Sequence, residues 1–89
     1  MPTVRTPTPL RPHAGGLDTV EAAGTTVGEV LANLGVAHPA LLERIFDGAT
    51  VRRFVNVYLN DEDIRYLDDL KTPVAAGDEI SIIPAVAGG

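Results

Sequence analysis

The chain has no cysteine and no tryptophan, a single methionine, a single serine (Ser81), a single lysine (Lys71) and only 4% aromatic residues. Each shortage excludes a class of chemistry. Without cysteine there is no disulfide framework, no thiolate nucleophile and no cysteine-held zinc or iron–sulfur cluster, which suits a reducing cytoplasm. Ser81 falls in a strand pattern without the flanking glycines of a nucleophile elbow. The histidines, His13 and His38, lie in a Pro/Gly turn and before Pro39, not four apart on a helix, so they do not form a metal site. No apolar run approaches the roughly 20 residues of a membrane span, and residues 1–20 lack the pattern of a signal peptide. Seven basic residues against twelve acidic ones leave little basis for binding nucleic acid.

What is present suits one small globular domain. A length of 89 residues with 45% hydrophobic content can bury a modest core. The net charge of −5 is unevenly spread. Asp61, Glu62, Asp63, Asp68, Asp69, Asp78 and Glu79 face only Arg65 and Lys71 within residues 60–79, so this stretch carries the whole excess. It is either a solvated face or a surface complementary to a basic partner.

Hydrophobic periodicity gives the elements. Residues 3–8 alternate as a strand whose pairing should stop near Pro7, because Pro7, Pro9 and Pro12 cannot serve a ladder. A turn over residues 10–16, with Gly15-Gly16 supplying positive φ, leads to a second strand over 17–22. Thr26 and Glu29 fit a capping box, followed by Val27, Val30, Leu31 and Leu34 on one helical stripe. Gly35 reads as the helix stop, and Pro39 as the start of a short second helix ended by Asp47-Gly48. Residues 53–60 form the strongest strand, with Val55, Val57 and Leu59 on one side and Phe54, Asn56 and Tyr58 on the other. A turn at 60–63, a short strand at 64–66, an irregular crossover over 67–76 and a last strand at 79–84 complete the order. The predicted fold is α+β: one main helix packed on one face of a small mixed sheet. The other face is left with Phe54, Tyr58 and Ile83, a candidate docking surface.

Internal catalytic motifs are missing. Asp61-Glu62-Asp63 lacks the glycine and terminal glutamate of a calcium loop, and Gly15-Gly16 lacks the setting of a dinucleotide fingerprint. The remaining candidate is the end of the chain. Residues 1–84 read as the domain and residues 85–89 as a flexible tail of small side chains: Ala85, Val86, Ala87, Gly88 and Gly89. Glycine lets a backbone lie close to another surface, so Val86, Ala87 and Gly88 could thread a narrow channel and present the Gly89 carboxylate. Transfer of AMP from ATP would turn that carboxylate into a mixed anhydride. Sulfide or a persulfide would then displace AMP and leave a thiocarboxylate. Nothing in the sequence suits ATP binding, so an external enzyme must perform the step.

These residues resemble the ThiS/MoaD family of ubiquitin-like (β-grasp) sulfur carriers. Gly77-Asp78-Glu79-Ile80-Ser81-Ile82, Pro84 and the closing Ala87-Gly88-Gly89 carry the general likeness. Leu10-Arg11-Pro12-His13 with Gly15-Gly16, Arg53-Phe54-Val55-Asn56-Val57-Tyr58 and Asn60-Asp61-Glu62-Asp63-Ile64-Arg65 resemble the actinobacterial, CysO-like carriers of cysteine biosynthesis. Pro9 departs from the pattern near the end of the first strand. The resemblance implies a carrier and not an enzyme, with no cofactor of its own. A MoeB/ThiF-like adenylyltransferase with sulfurtransferase activity would activate Gly89 using ATP and Mg²⁺, with sulfur from a rhodanese-like source. A pyridoxal-phosphate cysteine synthase would use the thiocarboxylate, and a zinc metallopeptidase would release the cysteine. In the family, contacts to the activating enzyme involve the tail and the open sheet face, and Phe54, Ile83 and Arg11 are the matching positions.

Three alternatives stand beside this one. The same tail chemistry serves molybdopterin, the thiazole of thiamine or a sulfur-containing secondary metabolite. A ubiquitin-like modifier would instead join Gly89 to lysines of target proteins. A bare adaptor would make no use of the tail.

Overall fold

The computed structural model describes residues 1–48 and 50–84. The expected tail, Ala85, Val86, Ala87, Gly88 and Gly89, lies outside the described residues. Among those described, five strands form the main sheet: β1 (Thr3–Arg5), β2 (Thr19–Glu21), β5 (Val55–Leu59), β6 (Glu62–Asp63) and β7 (Glu79–Pro84). The order is β2-β1-β7-β5-β6, with β1 and β7 parallel at the centre and the other neighbours antiparallel. Helices α1 (Val27–Ala37) and α2 (Pro39–Ile45) follow β2. A two-stranded hairpin of β3 (Phe46–Asp47) and β4 (Thr50–Val51) then leads toward β5.

Alternation decides which face of the sheet is covered. Val4, Val55, Val57, Leu59, Ile80 and Ile82 are buried, and so is the expected α1 stripe of Val27, Val30, Leu31 and Leu34. Leu41 and Ile45 extend the same core from α2. Burying such side chains contributes about 1.5–3 kcal/mol each before entropy is charged against it, so this layer holds the domain together. The helix-on-sheet pattern predicted from the sequence is the arrangement found, and it is a β-grasp fold.

The helix start follows its signal with one change. Thr26 Oγ1 accepts from the Glu29 amide at 3.2 Å. The Glu29 carboxylate, however, accepts from the amide and hydroxyl of Thr25, each at 2.9 Å, one residue earlier than a reciprocal box requires. Gly35 does not end α1, which runs on to Ala37. Its lack of a side chain serves packing instead, since a Cβ there would lie 2.5 Å from Leu42 Cδ2. The stop comes from Pro39, which disfavours helical geometry at His38, where φ is −133° and ψ is 72°.

Two other segments depart from the pattern. The proline-rich turn is a 3₁₀ helix over Thr8–Ala14 that buries Leu10 and Ala14. Pro7 and Pro9 are tolerated there because they cap and open the first turn, whose amides are unpaired in any case, whereas Pro12 lies inside the segment. The strand expected at residues 64–66 is also a 3₁₀ turn, Ile64–Tyr66, and the pairing with β5 falls earlier, on Glu62 and Asp63. Asp63 Oδ1 accepts from the Arg65 amide at 2.9 Å, and this cap draws the chain out of the ladder.

Candidate docking face and tail exit

The sheet face away from the helices holds the predicted docking residues. On β5, Asn56 and Tyr58 point opposite to the buried valines, and on β7 Ser81 and Ile83 do the same. Asn56 is registered with Ile83, and Tyr58 with Ser81, so Tyr58 and Ile83 are diagonal neighbours. Ile83 is 47% exposed. Phe54, at 61%, stands in the turn that enters β5 and not within the strand. Arg11 lies in the Thr8–Ala14 turn, where its Nε donates to the Thr6 carbonyl at 3.2 Å. Because β1 runs parallel to β7, this turn lies at the end of the sheet from which the chain leaves after Pro84. The structure thus gathers Tyr58 and Ile83 on the open face and sets Phe54 and Arg11 at its exit end.

A polar network crosses the open face beside them. Arg65 Nη2 donates to Asp63 Oδ2 at 2.9 Å, its Nε to Asp63 Oδ1 at 3.2 Å, and Nη2 donates also to Asn56 Oδ1. The Arg65 bonds hold the Asp63 carboxyl below the usual carboxylate range and push the guanidinium further up. Sequence reasoning missed this network, although Asp-x-Arg after a turn is a legible capping signal.

A second network sits at the opposite end of the sheet. Asn60 and Asp61, with φ of 50° and 72°, form the two-residue turn joining β5 to β6. Asn60 Nδ2 donates to Asp78 Oδ1 at 3.0 Å, and its Oδ1 accepts from the Glu79 amide at 3.0 Å. Asp78 Oδ2 accepts from the Ala75 amide at 2.8 Å. The amide bond to Ala75, then that to Asn60, lowers the Asp78 pKa. The acidic stretch of residues 60–79 is therefore no single patch: Asp61, Glu62 and Asp78 stand at the far end, Asp63 is engaged by Arg65, and Asp68 and Asp69 line a groove with Arg52 and Arg53.

These bonds set a pH dependence. Thr25 lowers the Glu29 pKa, first through its amide and then through its hydroxyl. With Glu29, Asp63 and Asp78 all depressed in the folded state, their contribution is complete above the ordinary carboxylate range and is lost as pH falls through it. The thermal midpoint should be flat from neutrality to about pH 5 and should decline below. Calorimetry across that range checks the direction, and Asp78→Asn should decline less steeply.

This arrangement defines a class: a small β-grasp domain whose open sheet face lies beside the end of β7 at Pro84. Residues 4–89 match the ThiS family. The chain belongs to the ThiS family. It is 47% identical over 90 residues, covering 98% of this chain and 97% of the relative, to the sulfur carrier protein CysO of Mycobacterium tuberculosis. It also resembles a chain in the crystal structure of the Amycolatopsis orientalis BexX/CysO complex, with a TM-score of 0.94, 44% identity and full coverage of both chains. The small archaeal modifier protein 1 of Methanosarcina acetivorans is more distant, with a TM-score of 0.86 and 33% identity over 99% of this chain and 95% of that one. Among the described residues, no helix is long and apolar enough to cross a membrane.

Proposed function

We propose that this chain carries sulfur as a thiocarboxylate on Gly89 and delivers it for cysteine biosynthesis. The observation that carries this reading is the near-full-length match to a curated CysO sulfur carrier. The fold supplies the geometry that the chemistry needs. Strand β7, at the centre of the sheet, brings the chain to the end of the sheet at Pro84, and five small residues follow it in the sequence. Fully extended, they reach at most about 17 Å, enough to enter a partner's active site while the open face stays docked outside.

The steps balance without any catalytic group from this chain. The Gly89 carboxylate attacks the α-phosphorus of ATP, and pyrophosphate leaves. Sulfide then attacks the acyl carbon and AMP departs, leaving the thiocarboxylate; an enzyme persulfide would instead form an acyl disulfide, from which a second thiol of that enzyme must free the thiocarboxylate as the enzyme disulfide forms. The carrier's own contribution is to dock and to present the carboxylate, through Val86, Ala87 and Gly88 in the channel and Phe54, Tyr58, Ile83 and Arg11 at its mouth. The adenylyltransferase supplies ATP and Mg²⁺, and the synthase that consumes the sulfur supplies pyridoxal phosphate.

Intact mass spectrometry tests the reading. After incubation with the adenylyltransferase encoded in the same genome, ATP and sulfide, the carrier should gain about 16 Da, one sulfur in place of one oxygen. No gain would sink the proposal. The likeness to an archaeal modifier protein supports a second reading, conjugation of Gly89 to lysines, at lower identity. Adducts that survive denaturing gels and vanish on deletion of Gly88-Gly89 would favour it.

A further inference from the structure

Strand β5 keeps a bare edge. On the side away from β7 its partner is β6, which pairs with Tyr58 and Leu59 alone, so residues 55–57 face no strand there. Backbone groups alternate in direction along an antiparallel ladder. The Asn60 amide donates to the Glu79 carbonyl at 2.9 Å, so Asn60, Tyr58 and Asn56 turn their amides and carbonyls toward β7. The Val55 carbonyl and the Val57 amide therefore point the other way, and neither has a hydrogen-bond partner among the described residues. Val57 is buried, and an unpaired amide at a buried residue is uncommon enough to call for a partner.

A groove of about 400 Å³ runs along this edge, with Val55, Val57, Ile64 and Leu70 as its apolar lining. The charged residues that line it fall into two groups. Arg65 is tied to Asp63 and Asn56, and Arg52 Nε donates to the Glu43 carbonyl at 2.9 Å. Arg53, Lys71, Asp68 and Asp69 make no side-chain hydrogen bond or ion pair among the described residues, either with one another or elsewhere. Two cations and two carboxylates thus line one groove unpaired. An anion there would meet the carboxylates and a cation the basic groups, whereas a ligand of both signs finds a partner for each.

We propose that this groove binds a zwitterionic α-amino acid with an apolar side chain. Its carboxylate accepts from the Val57 amide and is balanced by Arg53 and Lys71. Its ammonium donates to the Val55 carbonyl and is balanced by Asp68 and Asp69. The side chain lies against Ile64 and Leu70. A groove of this size lined by apolar groups with a few convergent polar ones is the ordinary form of a small-molecule site. The site stands on the groove alone and is independent of the sulfur-carrier reading.

The test is an NMR titration of the full chain, labelled with ¹⁵N, using L-methionine as the probe. Amide shifts should concentrate at Val57, Ile64, Leu70 and Lys71 and should saturate with a dissociation constant of about 1 mM, within the range open to so small a ligand. Solvent exchange of the Val57 amide should slow at saturation. N-acetyl-L-methionine lacks the ammonium and L-methioninamide lacks the carboxylate, and each should bind at least about tenfold more weakly. Asp69→Asn, which keeps a side chain suited to the φ of 54° at that position, should weaken methionine binding about threefold or more, and so should Lys71→Gln. Both positions are exposed, so thermal midpoints should not change. No shift up to about 20 mM methionine, N-acetyl-methionine binding as well as methionine, or shifts centred on another surface would each overturn the proposal.

Discussion

One alanine appended after Gly89 is expected to abolish activation, lowering the adenylation rate by at least about 100-fold, with no change in thermal midpoint. The reacting group is a main-chain carboxylate, so an added residue displaces it by about 3.8 Å and puts a side chain where glycine left none. Attack on phosphorus requires the oxygen to lie within about 3–3.5 Å on a defined line, and a misplacement of even 1 Å is costly. The domain should be indifferent, because among the described residues the buried hydrophobic core runs from Val4 to Ile82, ahead of the appended position. Pyrophosphate release and intact mass read the loss, and calorimetry reads the unchanged fold. Continued thiocarboxylation of the extended chain would contradict a terminal-carboxylate mechanism.

Replacing Leu31 by alanine should produce the largest loss of stability. Leu31 is fully buried on α1 between the helix and the sheet. Truncating such a side chain removes its transfer free energy and leaves a cavity that close-packed neighbours fill only in part, at a cost of about 2–5 kcal/mol. In a domain of this size that corresponds to a fall in melting temperature of roughly 10 °C or more. Urea titration should show a lower midpoint at unchanged slope. The molecules still folded at low temperature should be thiocarboxylated at the normal rate, because Leu31 lies on the covered side of the sheet and not at the exit. A stability change under about 1 kcal/mol would mean that the helix face is not packed as described.

Much of the fold was legible because its signals are local. The α1 stripe is a spacing within one helix, and every member of it is buried. Strand β7 was read with its observed bounds from Gly77-Asp78 ahead of it and alternating isoleucines within it. Misreadings arose where a distant contact or a side-chain cap overruled local preference. Gly35 looks like a helix end until Leu42 packs against it. Ile64-Arg65-Tyr66 looks like a strand until the Asp63 side chain takes the Arg65 amide. Three prolines in residues 7–12 suggest a loop, yet Leu10 and Ala14 bury themselves and wind that segment into a 3₁₀ helix.

The site divides in the same way. The shortages noted at the outset, and the small residues after Pro84, are properties of the sequence alone. They excluded a thiol and left no motif for a side-chain nucleophile or a metal-ligand cluster, so the terminal carboxylate stood as the candidate reacting group. Alternation within β5 and β7 also determined that Tyr58 and Ile83 share an open face. Only the tertiary structure decided how the charges are distributed. In the sequence the carboxylates of residues 60–79 lie nearer the tail than the arginines at 52 and 53 do. Register carries Arg53 to the exit and Asp61 away from it, because β5 runs antiparallel to β7, while the fold returns Asp68 and Asp69 to the groove that Arg52 and Arg53 line. Periodicity is set by neighbours a few residues apart, whereas strand register is set by contacts between distant segments, and it is register that places one charge beside another.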